Sequence, residues 1–510
     1  FSGCNSYWFF AQYGWSTYGD QSQGIAPDLR VLPCLDQATT QVRRIQQGID
    51  RLVLGARRQT DGVAVYHSRL SVHAATVMPP IPLRDFNTDP TWSAYIAGPD
   101  MKWARNIEAN LRLLDDVGLS YVFVDRIDIA DGALIKGKFR LLVMPLVQAL
   151  SGAEAKAVRE FVKAGGTVLA DVRPGVFDQH VKLLAEGQLD DLFGVQRKGS
   201  AVEPLRDQMV ALAAQKQNNG DRVPMPVDTT VAAKGGRAAI ATAADVPVFI
   251  TNTHGKGRTC LMNMSVQHYL TLRAAGRGAG LRNVVGRWLA QARIVPDVQV
   301  QAVADKKGPV RVSRYLYGQA YDVLQPVGEN KARVRVFRYR DGQAHLVGLL
   351  RPHKRLLDEP EAFVDRLPRS FVIHFAEPGH IYDVINRKYH GRKDHLKLQV
   401  PVATAFLFAV LPYRVTGVTA AVGQTGRTVR IAPAVQVSEG KPGRHVIRVQ
   451  VTDAKGRKRP EYENVVIAAK DCRAFHTFNL ALNDPPGRWT IDLEDVATGA
   501  TAKVGVQVQR

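Results

Sequence analysis

Few side chains in this chain are grouped in a way that could do chemistry. Two histidines, His67 and His73, bracket the stretch His67-Ser68-Arg69-Leu70-Ser71-Val72-His73. Imidazoles titrate near neutrality and can bind ligands or move protons when they face a cleft, although in a surface loop they more often do neither. The four cysteines, Cys4, Cys34, Cys260 and Cys472, form no CxxC pair, so their spacing builds no zinc site. Cys4 and Cys34 flank one loop and would form a disulfide in an exported protein, whereas Cys260, in the apolar run Thr259-Cys260-Leu261-Met262, reads as core. A Cys-His-Glu amidotransferase site needs its cysteine on a glycine-flanked elbow between strand and helix, and no such elbow here contains one. The turn Gly255-Lys256-Gly257 lacks phosphate-loop spacing and is followed by a strand rather than a helix. The opening is different in kind. Tyr7, Trp8, Phe9, Phe10, Tyr13, Trp15 and Tyr18 crowd one short stretch, as packing or as a stacking platform for a ligand.

These candidates need elements to position them. Phe139 to Leu146 is a short apolar run rich in branched residues and interrupted by Pro145, which predicts a buried parallel strand. Ser151 with Glu154 three residues on predicts a capped helix, Ala157, Val158, Phe161 and Val162 keep its period, and Gly165-Gly166 ends it. Thr167 to Ala170 is the next strand. Upstream, Gly62 to Tyr66 and Ser120 to Asp125 read as strands around an amphipathic helix from Trp103 to Val117. Such repeated β-α-β units predict an open, doubly wound parallel sheet over residues 61–295. Gln188 to Val195 reads as helical, and a polar connection crosses Ala201 to Asp221. A strand pair then turns at His254-Gly255-Lys256-Gly257, and Leu281 to Ala292 closes the unit. The loop after the first strand is long. It runs from His67 through a proline-rich stretch to Trp92 and Tyr95, at the carboxyl end of the sheet where ligands of such folds lie.

Residues 1–60 hold the aromatic cluster and one helix, from Asp36 to about Leu54, which is too little to close a core. After about Val298 the period changes to alternation. A hairpin turns at Asp341-Gly342, further strands run to Ala405 through Leu411, and residues 296–415 read as a small antiparallel β domain. Residues 416–510 carry short strands at regular spacing, which predicts an immunoglobulin-like sandwich with Trp489 in its core. A chain of 510 residues exceeds one core, so several domains are expected. Its formal net charge of +21 favours acidic partners, among them nucleic acid, anionic glycans or an anionic surface. The basic residues are scattered and no nucleic-acid-binding motif accompanies them, which argues against a dedicated nucleic-acid function. No apolar run approaches the roughly 20 residues that span a bilayer.

The runs Arg140-Leu-Leu-Val-Met-Pro, Leu150-Ser-Gly-Ala-Glu and Val158-Arg-Glu-Phe-Val-Lys-Ala-Gly-Gly-Thr-Val, preceded by an aromatic stretch and a helix, resemble the family 42 glycoside hydrolases. These are β-galactosidases with a (β/α)8 barrel, a trimerisation domain and a small β domain. The resemblance implies a multidomain α/β plus all-β protein. Residues 1–60 would be the end of the barrel and 61–295 a flavodoxin-like, trimerisation or amidotransferase-like domain, followed by the two antiparallel β domains. It implies a retaining hydrolase whose two glutamates, general acid and nucleophile, lie ahead of Phe1. It places Trp8, Tyr13 and Trp15 against sugar rings, and sets the loop carrying His67, Ser71, His73 and Trp92 near the barrel mouth of a neighbouring subunit. It further implies a carbohydrate substrate, a homo-dimer or trimer formed through the flavodoxin-like domain, no cofactor, no metal, no membrane association, and export. The alternative reading is a noncatalytic carbohydrate-binding scaffold or surface-layer protein with the same domain order.

Overall fold

The computed structural model describes residues 33–77, 99–199, 202–212, 222–242, 244–274, 278–303, 309–316, 319–326, 333–351, 367–402, 404–468 and 474–509. Its centre is a parallel sheet of five short strands, β1 (Val63–Tyr66), β2 (Tyr121–Val124), β3 (Leu141–Met144), β4 (Thr167–Ala170) and β5 (Gly257–Met262), in the spatial order 2-1-3-4-5. Two antiparallel strands, Pro247–His254 and Arg237–Ala241, extend the sheet beyond β5.

Period-two alternation within these strands makes two cores. Val63, Val65, Leu141, Val143, Leu169, Cys260 and Met262 point to one face, where helices α2 (Pro99–Asp116) and α4 (Ala279–Gln291) supply Leu113, Leu114, Val285 and Leu289. Ala64, Tyr66, Leu142, Met144, Val168 and Ala170 point to the other, covered by Val158, Phe161 and Val162 of α3 (Gly152–Lys163). Burial on both faces is why these strands read as continuous apolar runs. At the start of α3 the Ser151 hydroxyl accepts from the Glu154 N–H at 3.3 Å, and Glu154 Oε2 accepts from the Ser151 N–H at 2.8 Å. Gly165, at φ +116, ends the helix.

Three local expectations change. The stretch Arg69–Val77 is a helix, here α1, because Leu70 and Ala74 find apolar partners in Ala149, Val176 and Phe177. The polar connection contains the strand Arg206–Ala211, which pairs with Arg222–Val227. Of its side chains only Val210 is fully buried, so pairing rather than apolar pattern holds it. The helix near Asp190 stops at Phe193, and Val195 opens a strand paired with Ala233.

Beyond Val298 one antiparallel sheet is built from Gln299–Ala302, Arg335–Asp341, Ala344–Leu350, Arg369–Asp383, Lys388–Val400 and Ala405–Leu411. Arg57–Gln59, far earlier in the chain, adds an edge strand to it. From Val415 to Val508 two further antiparallel sheets of three and four strands face each other. Between them lies Trp489, fully buried as expected, with its indole N–H donating to the Pro485 carbonyl at 2.9 Å. The helical segment from Pro33 to Leu54 is interrupted at Gly48, whose φ of +119 and close contact with Val446, Val465 and Val496 leave no room for a side chain. That segment is therefore packed against the end of the chain.

One carboxylate ties the parallel sheet to the β layers. Asp61, almost wholly buried, accepts from the Ser120 N–H at 2.6 Å, the Asp297 N–H at 3.2 Å and the Arg338 guanidinium at 2.6 Å. Arg338 also pairs with Asp297. Burial pushes the Asp61 carboxyl above the usual carboxylate range, and the Arg338 charge opposes that push. Replacing Arg338 by leucine strands this carboxylate, a loss of roughly 3–5 kcal/mol for one partner of a buried pair. The expected result is a lowered thermal unfolding midpoint in Arg338→Leu, partly recovered in Asp61→Asn/Arg338→Leu; equal midpoints in wild type and single variant would remove the clamp.

Candidate binding site at the carboxyl edge of the parallel sheet

Open parallel sheets present ligand sites beyond the carboxyl ends of their strands. Here that edge is formed by the residues following β1, β3, β4 and β5. At the end of β1, Tyr66 donates its hydroxyl proton to the Glu154 carboxylate, and burial first, then this contact, pushes its phenol well above the usual range. His67 is half-buried, with its N–H donating to the Val124 carbonyl at 2.9 Å and its ring edge-on to Phe123 at 6.4 Å. Ser68 and Ser71 are buried, joined at 2.8 Å between hydroxyls, and Ser71 Oγ accepts from the Ala149 N–H at 3.1 Å. His73 is exposed on α1. The structure thus brings His67 and the two serines to the edge and leaves His73 on the surface. Trp8, Tyr13, Trp15 and Trp92, with Cys4 and most of the proline-rich loop, lie outside the described residues.

The centre of the edge is Asp171, the residue after β4. Its Oδ1 accepts from the Leu146 N–H at 2.5 Å, and its Oδ2 accepts from Asn110 Nδ2 at 3.2 Å and from Asn106 Nδ2. Asn106 and Asn110 are one turn apart on the buried side of α2, and Ser265 Oγ donates to Asn106 Oδ1 at 3.2 Å. Burial pushes the Asp171 carboxyl up to about 7, against the pull of those donors. Two residues on, Arg173 takes φ 63, a left-handed conformation rare for a side chain, and its Nε donates to Asp228 at 2.8 Å. Asp228 also accepts from Arg197 at 2.8 Å and from the Thr230 hydroxyl at 2.7 Å. Burial alone would raise its pKa; the two guanidiniums and the hydroxyl outweigh that and hold the carboxyl below the usual range.

Neither histidine was a guide to this network. The sequence signals that mark it, not used above, are an acid directly after the apolar strand Thr167–Ala170 and two asparagines in the apolar stripe of an amphipathic helix. What the arrangement can do is hold charge and orient loops. No cysteine stands at these strand ends among the described residues. Cys260 lies in mid-strand, fully buried, with its thiol pushed well above its usual value by burial. Among the described residues no group of three or more His, Cys, Asp or Glu is placed to hold a metal, and no helix is long and apolar enough to cross a membrane.

Residues 127–295 match the model of the β-galactosidase trimerisation domain, so this segment is similar to that domain, as the resemblance implied. No curated protein matches the chain. Among solved structures, Gan42B, a GH42 β-galactosidase from G. stearothermophilus, is 12% identical over 76% of this chain and 45% of that one, at a TM-score of 0.49. The β-galactosidase from Bacillus circulans sp. alkalophilus is 13% identical over 72% and 44%, at 0.47. That of Rahnella sp. R3 is 13% identical over 70% and 41%, at 0.43. The chain spans less than half the length of each of these proteins.

Two outcomes are expected. The folded Asp171 carboxyl binds its proton more tightly than the unfolded one, with pKa about 7 against 3.8. Its contribution to stability is therefore complete below the unfolded value and is lost as pH rises through about 7. Thermal melts should give a midpoint a few degrees higher at pH 6 than at pH 8, and Asp171→Asn should flatten that difference; a midpoint rising over this interval in wild type alone would contradict the assignment. Cys260 should resist iodoacetamide or a thiol-reactive glutamine analogue in the native protein and label only on unfolding, as read by peptide mass mapping.

Proposed function

We propose that this chain is the C-terminal part of a retaining glycoside hydrolase of the β-galactosidase type, acting on oligo- or polysaccharide. The observation that carries this reading is the match of residues 127–295 to the β-galactosidase trimerisation domain. The 2-1-3-4-5 order of the parallel strands supports a flavodoxin-like unit over residues 61–295, and the two facing sheets after Val415 support an immunoglobulin-like sandwich over 416–510. Residues 1–60 are then the end of a (β/α)8 barrel and 296–415 a small β domain. The general acid and the nucleophile are glutamates ahead of Phe1. One protonates the leaving oxygen and the other traps the sugar, so both must flank the scissile bond. The chain's own share is an aromatic platform of Trp8, Tyr13 and Trp15, an assembly domain that makes dimers or trimers, and the connection after β1, with His67, His73 on α1, and Trp92, that reaches a neighbour's barrel mouth. The protein is exported and uses no cofactor. The noncatalytic scaffold is the less favoured reading.

The test begins with the intact mass of the natural polypeptide, which should exceed this chain by about 250 residues or more, the length of a barrel. That longer protein should hydrolyse a nitrophenyl β-galactoside with retention of the anomer by NMR, while the 510 residues alone should not. In the longer protein, Trp8→Ala and Trp15→Ala should each raise KM about ten-fold, the order of one lost aromatic contact, with a smaller change in kcat. Hydrolysis with inversion, or none at all, would defeat the proposal.

A further inference from the structure

On the face of the sheet shared with α4, at its antiparallel end, the strands Arg237–Ala241 and Pro247–His254 and the helix enclose an open groove of about 810 Å³. That size lies within the range of pockets that take small organic ligands. Its floor is apolar, formed by half-buried Ile240 and Val284 over the buried pair Phe249 and Trp288, whose rings meet edge to face at 6.3 Å. Its rim carries three exposed arginines, Arg237, Arg258 and Arg287.

The electrostatics of this groove are one-sided. No described residue lining it is acidic, and none of the three arginines forms an ion pair among the described residues. Two of them are held instead by backbone carbonyls of α4: Arg258 Nη1 donates to the Gln291 carbonyl at 3.1 Å, and Arg287 Nε to the Asn283 carbonyl at 3.1 Å. Those bonds orient the guanidiniums without neutralising them. A cleft lined by charge of one sign over an apolar wall concentrates counter-charge, and a guanidinium fork fits carboxylate and sulfate oxygens.

We propose that this groove binds an anionic saccharide, a short chain whose rings carry carboxylate or sulfate groups. The three guanidiniums take the anionic substituents, the half-buried side chains of Ile240 and Val284 meet the apolar faces of the rings, and Thr251 and Thr253 line the same space with hydroxyls. The saccharide class rests on the hydrolase reading above; the anionic character rests on the groove alone. A nucleic acid would demand a basic track extending past one concavity, and these arginines surround a single one.

The experiment is calorimetric titration of the full chain with a sulfated galacto-oligosaccharide, a galacturonate oligomer, the unsulfated galacto-oligosaccharide, a phosphoserine peptide and a short single-stranded DNA. The charged sugars should bind at least about ten-fold more tightly than the neutral one, as expected of paired Arg–anion contacts. Arg237→Ala/Arg258→Ala/Arg287→Ala should abolish that preference at an unchanged thermal midpoint, and Arg258→Lys should lose less than Arg258→Ala. Equal affinity for neutral and charged sugars, or no effect of the triple variant, would overturn the site; tighter binding of the peptide or the DNA would overturn the saccharide. Failure of the longer polypeptide to cleave β-galactosides would leave this titration unaffected, so the two readings fall separately.

Discussion

The seam between the parallel sheet and the antiparallel layers depends on a charge that water cannot reach. Asp61 precedes β1, Ser120 precedes β2, Asp297 follows α4, and Arg338 belongs to the neighbouring antiparallel sheet; one carboxylate and one guanidinium bind all four places. Desolvation works against such a pair, and its geometry must be good for the attraction to offset it. Here Asp61 has three donors, and the Arg140 guanidinium anchors its backbone carbonyl at 2.8 Å. A second link crosses the same seam, where Arg335 meets Asp115 at 3.1 Å; on the parallel-sheet side Arg273 meets the adjacent Asp116 at 2.9 Å. Breaking this seam would expose unpaired charge rather than only apolar surface.

The same seam explains an otherwise odd chain path. Arg57–Gln59 leaves the first helical segment and pairs with Arg338–Arg340 before the chain enters β1, so the edge strand and the clamp occupy the same stretch of sheet. Gly48 lets the helical segment settle on Val446, Val465 and Val496, and Arg444 donates to the Arg51 carbonyl at 3.0 Å. The beginning and end of the described chain are thereby packed together around the small β layer.

Much of this was legible in the sequence where local pattern and burial agree. The strands at Leu141 and Thr167, the capping box at Ser151, the glycine stop after α3, the mid-strand Cys260 and the core Trp489 all follow from periodicity and side-chain type. What could not be read comes from partners distant in sequence. Gly48 looks like a weak point in a helix until valines some 400 residues later occupy the space of its missing side chain. The strand Arg206–Ala211 has hardly any apolar pattern and exists through its partner strand. At the carboxyl edge, the loop position of His67 was apparent, but the meeting of Asp171 with Asn106, Asn110 and Leu146 depends on α2 lying across the end of β4, which no local spacing encodes.

The same edge shows what backbone strain does in this unit. A nucleophile elbow stores strain so that a reactive atom stands clear of the sheet with a base beside it. Strain is present here, at Leu146 with φ 46 after β3 and at Arg173 with φ 63 after β4, adjacent strands at the middle of the sheet. Its purpose is different. Leu146 turns its N–H onto Asp171, and Arg173 turns its guanidinium into the Asp228 carboxylate and the Glu203 carbonyl at 2.6 Å. The strained backbone is therefore spent on closing ion pairs and hydrogen bonds over the strand ends.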